Sequence, residues 1–478
     1  MNALLNLGLN VIRPEIYLSV AGLFLLLYGA YKAPKANVAL VLVSVLILAL
    51  SGFLAYDGGM GAQRVFSGMF VSNAFTVVSK LLIITASILA LLLSTDWLTE
   101  EGGRPFEYAL LVLFATLGMM LLVSAGSLLS MYMALEMMSL SLYVLASFDR
   151  DNARSSEAGL KYFVLGSLAS GMILFGSSLI YGFAGTISFE GLGVLFSQDA
   201  EVSRAVIVGL IFVIVGFCFK LSAAPFHMWA PDVYEGAPTP VTAFFSTAPK
   251  AAAVLFFARF LYEPFAGVAD QWQQVLVAAA ILSMVVGSLA AIMQTNIKRL
   301  LAYSSIGHVG FILMGMASGT EQGVQGVLVY LFTYIFMSAG MFGCVLITRR
   351  ESIKDYAGLA KTHPLLAATI AAFMFSMAGI PPLAGFFGKM YVILAAVNAG
   401  LLWVAVIAVI TSVIGAYYYI KIVKVMYFDD VAHHGAKMGA SPLVVAATVL
   451  GAVVTAGFFL WPSPIVALAS TAAKALVP

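Results

Sequence analysis

Charge is what this chain most lacks. Of its 478 residues only 10% are Asp, Glu, Lys or Arg, whereas 62% are hydrophobic, and the mean hydropathy is +1.02. A water-soluble protein ordinarily carries about 25% charged residues and has no means of hiding this much apolar surface, so the bilayer is the expected solvent. The 24 basic and 22 acidic residues nearly cancel, leaving a net charge of +2. That balance excludes a broad basic surface, and no nucleic-acid partner is expected. Cysteine is almost missing. Cys218 and Cys344 lie in separate apolar runs, with no C-x-x-C pair and no His and Cys at ligand spacing. A disulfide framework, an iron–sulfur centre and a structural zinc are therefore not expected. The amino terminus, MNALLNLGLNVIRPEIYL, also lacks the basic stretch, short apolar core and small-residue cleavage site of a secretory signal, so insertion is expected to depend on the first span.

Long apolar runs are what the chain has in abundance. A helix needs roughly 20 predominantly apolar residues to cross about 30 Å of hydrocarbon. That rule gives an all-α polytopic membrane protein of about 14 transmembrane spans: 12–30, 36–55, 72–94, 106–123, 126–147, 158–183, 204–225, 238–262, 272–293, 299–318, 323–348, 363–396, 400–426 and 442–461. Basic residues divide unequally between the two sets of connections. If both termini share one face, the opposite face receives fifteen, from Lys32, Lys35 and Arg104 to Lys421, Lys424 and Lys437. The terminal face receives six: Arg13, Arg64, Lys80, Arg204, Arg259 and Lys474. By the positive-inside rule both termini then lie outside the cytoplasm, which for a bacterial inner membrane is the periplasmic side.

Three lysines belong to neither face. Lys220, Lys250 and Lys389 fall inside spans, as do Glu136, midway along SMYMALEMMSLSLYVLASF, and His308, in AYSSIGHVGFILMG. A charge at the bilayer centre costs roughly 2.5–3.5 kcal/mol on insertion scales, so such residues mark a function or a fixed pairing. Inert ion pairs fit Glu136 with one lysine. One carboxylate does not neutralise three. Burial brings the neutral amine and the ammonium closer in energy, which suits lysine to carrying protons when a counter-charge moves. His308 fits a relay or a packing histidine equally well. Lys161, one turn into the sixth span, is placed to reach the interface, and His227 follows a helix break where it would cap exposed carbonyls.

Two spans are interrupted in similar ways. The seventh runs into KLSAAPFHMWAPDVYEGAPTP, and the twelfth contains MAGIPPLAGFFGKM, so breaks are expected near Pro225 and near Pro381 and Pro382. Broken backbone survives at membrane depth only where protein or water satisfies it, and paired breaks mark transporters built from internal repeats. The expected division is a three-helix segment over 1–105, a first repeat of five spans over 106–262, an inverted second repeat over 263–426, and a loop with the last span over 427–478. Aligning Pro225 with Pro381 sets Lys220 opposite Ser376, so equivalent elements need not carry equivalent charges.

FKLSAAPFHMWAPDVYEGAPTPVTAFF, QTNIKRLLAYSSIGHVG and AGIPPLAGFFGK together resemble the antiporter-like membrane subunits of proton-pumping NADH:quinone oxidoreductase, respiratory complex I. Within that family FSTAPKAAAV, a lysine in the twelfth span and a chain that ends soon after Trp461 resemble the subunit N branch. The resemblance implies a fourteen-helix proton channel with two inverted five-helix repeats and a hydrated polar axis. By motif position it implies Glu136 paired with Lys220, Lys250 as the central bridge, Lys389 as the terminal lysine, and His308 and Tyr303 on the link between them, with Lys161 and His227 in support. It also implies no cofactor in this chain. NADH, flavin, iron–sulfur clusters and quinone would belong to partner subunits, and the neighbours would be other membrane subunits of the complex, including antiporter-like ones, and lipid.

Two other readings share these residues. A subunit of a multi-subunit Na⁺/H⁺ antiporter or of a membrane-bound hydrogenase has the same fold and charged axis, and a scaffold protein would merely pair its charges. Gly315 and Gly319 form a G-x-x-x-G suited to close helix packing. His433 and His434 sit in a polar loop and are expected to be solvated. The charge bias generates a direct test in a background lacking Cys218 and Cys344. Single cysteines near Asn2 and Ala473 should react with an impermeant thiol reagent added outside intact cells, and one near Ser352 should not; the reverse labelling pattern contradicts the orientation.

Overall fold

The computed structural model describes residues 8–32, 38–99, 105–197, 202–431 and 438–477. Lys35, Arg104, His433, His434 and Lys437 lie outside the described residues. The chain opens with α1 (Arg13–Lys32) and α2 (Val38–Asp57), then a hairpin of β1 (Gln63–Val65) and β2 (Phe70–Ser72) paired antiparallel in the register Arg64 to Val71. The hairpin was not legible as apolar alternation because each strand has three residues. Its turn uses left-handed Phe66, Ser67 and Gly68.

Next come α3 (Ala74–Leu93), the short α4 (Thr95–Thr99), α5 (Glu107–Ser124), α6 (Leu128–Ala146), α7 (Ala153–Ala184) and the short α8 (Phe189–Ser197). The broken region contains α9 (Arg204–Leu221), α10 (Trp229–Gly236), α11 (Thr239–Ser246) and α12 (Ala248–Tyr262). The second half has α13 (Ala269–Ile292), α14 (Ile297–Ala317), α15 (Glu321–Thr348), the single turn α16 (Leu359–Thr362), α17 (Pro364–Ala378), α18 (Ala384–Asn398) and α19 (Leu402–Phe428). The chain finishes with α20 (Pro442–Gly457) and α21 (Ser463–Lys474). Among the described residues thirteen helical spans are long and apolar enough to cross a membrane. The remaining expected span, 363–396, is divided into α17 and α18, each of 15 residues.

The breaks fall slightly before the prolines. α9 stops at Leu221 because Ser222 turns left-handed at φ 58°, and α17 stops at Ala378 before Gly379 at φ 90°. The residue before a proline is biased away from helix, so each chain leaves its helix before reaching the ring. Pro225, Pro381 and Pro382 are themselves exposed. A third break, absent from the sequence reading, lies at Thr247 between α11 and α12. Pro249 supplies its cause: it has no N–H for the carbonyl four residues earlier.

Close helix contacts rest on small residues. A Cβ on Gly118 of α5 would sit 2.6 Å from the backbone nitrogen of Met138 on α6, and one on Gly176 of α7 would sit 2.4 Å from the Gly209 carbonyl on α9. Of the G-x-x-x-G pair, Gly315 packs against Val392 on α18, whereas Gly319 lies past the helix end at φ +68° and serves the turn. Only half of that motif is a packing device.

Lys80 and Arg259, assigned by sequence to the terminal face, are buried instead. Lys80 Nζ lies 2.7 Å from Glu15 Oε1 and 4.8 Å from the centre of the Phe70 ring. Arg259 donates to Glu263 and to the Val123 carbonyl. Removing these two leaves the charge bias in the same direction. Breaking one side of a buried pair costs about 3–5 kcal/mol because the other charge is stranded. Lys80→Met alone should therefore lower the unfolding temperature of the purified assembly, and adding Glu15→Gln should recover most of the loss in a calorimetric scan.

Candidate functional site

The helix breaks place acceptors where the buried lysines need them. Lys220 occupies the last turn of α9, where free carbonyls favour a cation. Its Nζ donates to Ser139 Oγ at 2.9 Å, Tyr143 OH at 3.1 Å and Ser170 Oγ at 3.3 Å, from α6 and α7. Lys250 starts α12 immediately after the third break, at a helix end that offers amides rather than carbonyls. Hydroxyls supply what that end lacks. Its Nζ donates to Ser222 Oγ at 3.0 Å and to Ser305 Oγ, with the Tyr234 ring centre 5.2 Å away. The left-handed turn at Ser222 thus ends one helix and presents a hydroxyl to the lysine of another.

Lys389 shows the same economy in the second break. Its Nζ donates to Ser412 Oγ and to the Ala378 carbonyl, both at 2.9 Å, and Ala378 is the last residue of α17. The carbonyl that the break leaves free becomes a lysine acceptor. Other freed groups are also satisfied: Ala224 N–H donates to Ser283, Gly385 N–H to Ser376, and Trp229 Nε1 to the Phe219 carbonyl.

His308 lies between the lysines Lys250 and Lys389 and is buried. Its Nδ1 is 2.6 Å from Tyr330 OH, and its Nε2 is 3.2 Å from Tyr419 OH, which is 2.5 Å from Ser304 Oγ. Tyr334 joins the imidazole to the Lys250 cluster. It donates to Ser305 at 2.8 Å, and its ring centre lies 5.2 Å from that of His308. The Phe311 ring, on the same helix as His308, has its centre 5.0 Å from the Lys389 Nζ.

Among the described residues Glu136 and Lys220 form no direct ion pair, although the carboxylate's charge acts on the ammonium. Glu136 Oε1 is buried with no hydrogen-bond partner, and Lys220 is held by hydroxyls. Tyr303 lies on the same helix as His308. It is half-buried, and none of these hydrogen bonds includes it. Lys161 is partly exposed and paired with Glu157 at 2.7 Å and Asp232 at 2.8 Å. His227, half-buried between α9 and α10, has its Nδ1 without a hydrogen-bond partner among the described residues. Asp232 also accepts from Arg299 at 2.7 Å. Burial raises its carboxyl, yet the hydrogen bonds and charges of Lys161 and Arg299 outweigh that and hold it below the usual carboxylate range.

Sequence reasoning missed the hydroxyl partners, Ser139, Tyr143, Ser170, Ser222, Ser305 and Tyr334 above all. Serine and tyrosine are common within spans. Only proximity to an intramembrane lysine distinguishes these six, and that is a property of the fold.

Comparison with known proteins gives this geometry its context. Residues 125–415 match the family model described as NADH:quinone oxidoreductase/Mrp antiporter, TM. The chain is 52% identical to NADH-quinone oxidoreductase subunit N of Rhodospirillum rubrum, over 98% of both chains, and 53% identical to that of Granulibacter bethesdensis, over 97% of this chain and 98% of that one. The chain belongs to the NADH-quinone oxidoreductase subunit N family. A subunit of respiratory complex I from Thermus thermophilus superposes with a TM-score of 0.81 at 33% identity, covering 96% of this chain and 99% of that chain. The Mrp complex from Dietzia sp., at 24% identity and a TM-score of 0.85 over 98% of each chain, shares the fold. As a subunit N family member the chain is a multi-pass membrane subunit of complex I with an antiporter-like domain, and its partners are other membrane subunits of that complex. Among the described residues there is no group of three or more His, Cys, Asp or Glu able to hold a metal ion.

Ser305 is the acceptor shared by Lys250 and Tyr334. Hydrogen bonds to charged groups are worth about 1.5–3 kcal/mol, so Ser305→Ala should slow turnover of the assembled complex by roughly tenfold or more. Steady-state quinone reductase rates on membranes with matched amounts of complex check this, with Thr369→Ala, whose hydroxyl bonds the Leu365 carbonyl of its own helix, as the comparison.

Proposed function

We propose that protons move along Glu136, Lys220, Lys250, His308 and Lys389, coupled to quinone reduction in partner subunits. The observation that carries this reading is the nature of the lysine partners. Each of Lys220, Lys250 and Lys389 is buried and held by hydroxyl or carbonyl oxygens, and among the described residues none has a carboxylate at ion-pair distance. Inert pairing requires a carboxylate at each lysine. For Lys250 and Lys389 the neutral acceptors leave the charge uncompensated, so an ammonium can yield its proton without stranding a partner anion.

The route follows from the neighbours. Ser305 and Tyr334 lead from Lys250 toward His308, whose two ring nitrogens each face a tyrosine hydroxyl, so the imidazole can accept on one side and donate on the other. Glu136 begins the axis, and its partnerless oxygen is available to a proton or to a moving cation. Lys389 ends it. Lys161, His227 and Tyr303 support the route from outside the hydrogen-bonded clusters. No redox site is assigned to this chain; NADH, flavin, iron–sulfur clusters and quinone belong to partner subunits. The repeats cover 106–262 and 263–426, a reading supported by the packing of α5 on α6 and of α13 on α14. Both termini face the periplasm of a bacterial inner membrane, in keeping with the charge bias.

Obligatory coupling gives the test. Lys250→Ala should leave the complex assembled while depressing proton pumping and quinone-linked NADH oxidation together, and electron transfer from NADH to an artificial acceptor should persist. The three rates are measured on membranes with matched amounts of complex. Unchanged pumping and quinone reductase would remove Lys250 from the path.

A further inference from the structure

A second set of charges lies outside the proposed axis. Arg154, Glu157 and Lys161 of α7, Asp232 and Glu235 of α10 and Arg299 of α14 line a cavity of about 260 Å³. Asp232 is the centre of this set. Its Oδ2 accepts from Lys161 Nζ at 2.8 Å and its Oδ1 from Arg299 at 2.7 Å, so one carboxylate joins α7 in the first half of the chain to α14 in the second.

The helix that carries Asp232 touches the surroundings of two buried lysines. Trp229, at the start of α10, stacks on Tyr162 with ring centres 4.5 Å apart. Tyr162 in turn meets Tyr143 edge-on at 4.9 Å, and Tyr143 OH accepts from Lys220. Near the other end of the same helix, the Tyr234 ring is 5.2 Å from Lys250 Nζ. Eight residues therefore hold one ring behind each lysine site and one carboxylate between two cations. Packing fixes the last residue of this helix, since a Cβ on Gly236 would lie 2.6 Å from the Arg154 carbonyl. Asp232 holds the middle.

We infer that Asp232 is a positioning residue for proton transfer between Lys220 and Lys250: by accepting from Lys161 and Arg299 together, it sets α10 and hence the Trp229 and Tyr234 rings against the two lysine sites. This rests on the proton axis proposed above. Neutralising Asp232 tests the bridge rather than the fold, because neither cation is stranded. Lys161 keeps Glu157 at 2.7 Å, and Arg299 keeps Glu235 at 3.1 Å. Partly exposed ion pairs of this kind contribute little to stability, so the complex should still assemble.

The experiment uses the whole complex in membranes, with Asp232→Asn, Asp232→Glu, Lys161→Gln, Arg299→Gln and Lys250→Ala compared at matched content. Asp232→Asn should lower kcat for quinone-linked NADH oxidation, and pumping with it, by at least about fivefold, the low end of couplings between separate sites, with KM for NADH and quinone unchanged. Asp232→Glu should restore more than half of the loss. Normal turnover in Asp232→Asn beside an impaired Lys250→Ala overturns the inference and leaves the proton axis standing. Normal turnover in Lys250→Ala overturns both. Should Asp232→Asn fail to assemble, Lys161→Gln and Arg299→Gln decide: partial loss in each supports the bridge, and wild-type rates in both overturn it.

Discussion

An ammonium within the hydrocarbon layer must find acceptors inside the protein, and regular helices have none to spare. Every carbonyl in a continuous helix is committed to an amide four residues on, which is why lysine is so costly there. The three breaks answer that constraint. The turn after α9 offers the Ser222 hydroxyl to Lys250, and the end of α17 offers the Ala378 carbonyl to Lys389. Lys220 sits at a carbonyl-rich helix end and gathers three further hydroxyls from α6 and α7. Prolines near each break are thus part of how the lysines are accommodated. Without the interruptions the same residues would face closed backbone.

Much of this was legible in the sequence for a simple physical reason: apolar length and misplaced charge are local properties. The spans followed from runs of about 20 apolar residues. The five axis residues stood out because each was ionisable and inside such a run. What escaped were features that depend on reach. Lys220 donates to hydroxyls of α6 and α7, which spacing alone does not reveal. Lys80 looked like a surface residue near a span end and is instead paired with Glu15, more than sixty positions earlier in the chain. The break at Thr247 was concealed because its proline lies two residues later, in a segment otherwise as apolar as its neighbours.

Aromatic rings adjoin the polar clusters. Tyr334 touches both the His308 ring and Ser305 of the Lys250 cluster, and the Phe311 ring lies against Lys389. Tyrosine can pass a proton through its hydroxyl, whereas phenylalanine can only shift aside or exclude water. On the proposed route, a step past the Phe311 ring would need motion or water entry in a way that a step past Tyr334 would not. The chain is built as a series of polar stations whose separations are set by side chains of different kinds. Such an arrangement suits stepwise movement controlled from a distance, and is poorly suited to a permanently open wire.

The central claim is that the buried lysines change protonation during turnover. Infrared difference spectra of the complex carrying ¹⁵N-labelled lysine, recorded between resting and NADH-reduced states with excess quinone, test it most directly. The account requires isotope-sensitive ammonium bands that appear on reduction and disappear when Lys220, Lys250 and Lys389 are all replaced by Met. Lysine bands that stay constant through turnover in the unmodified complex would contradict it.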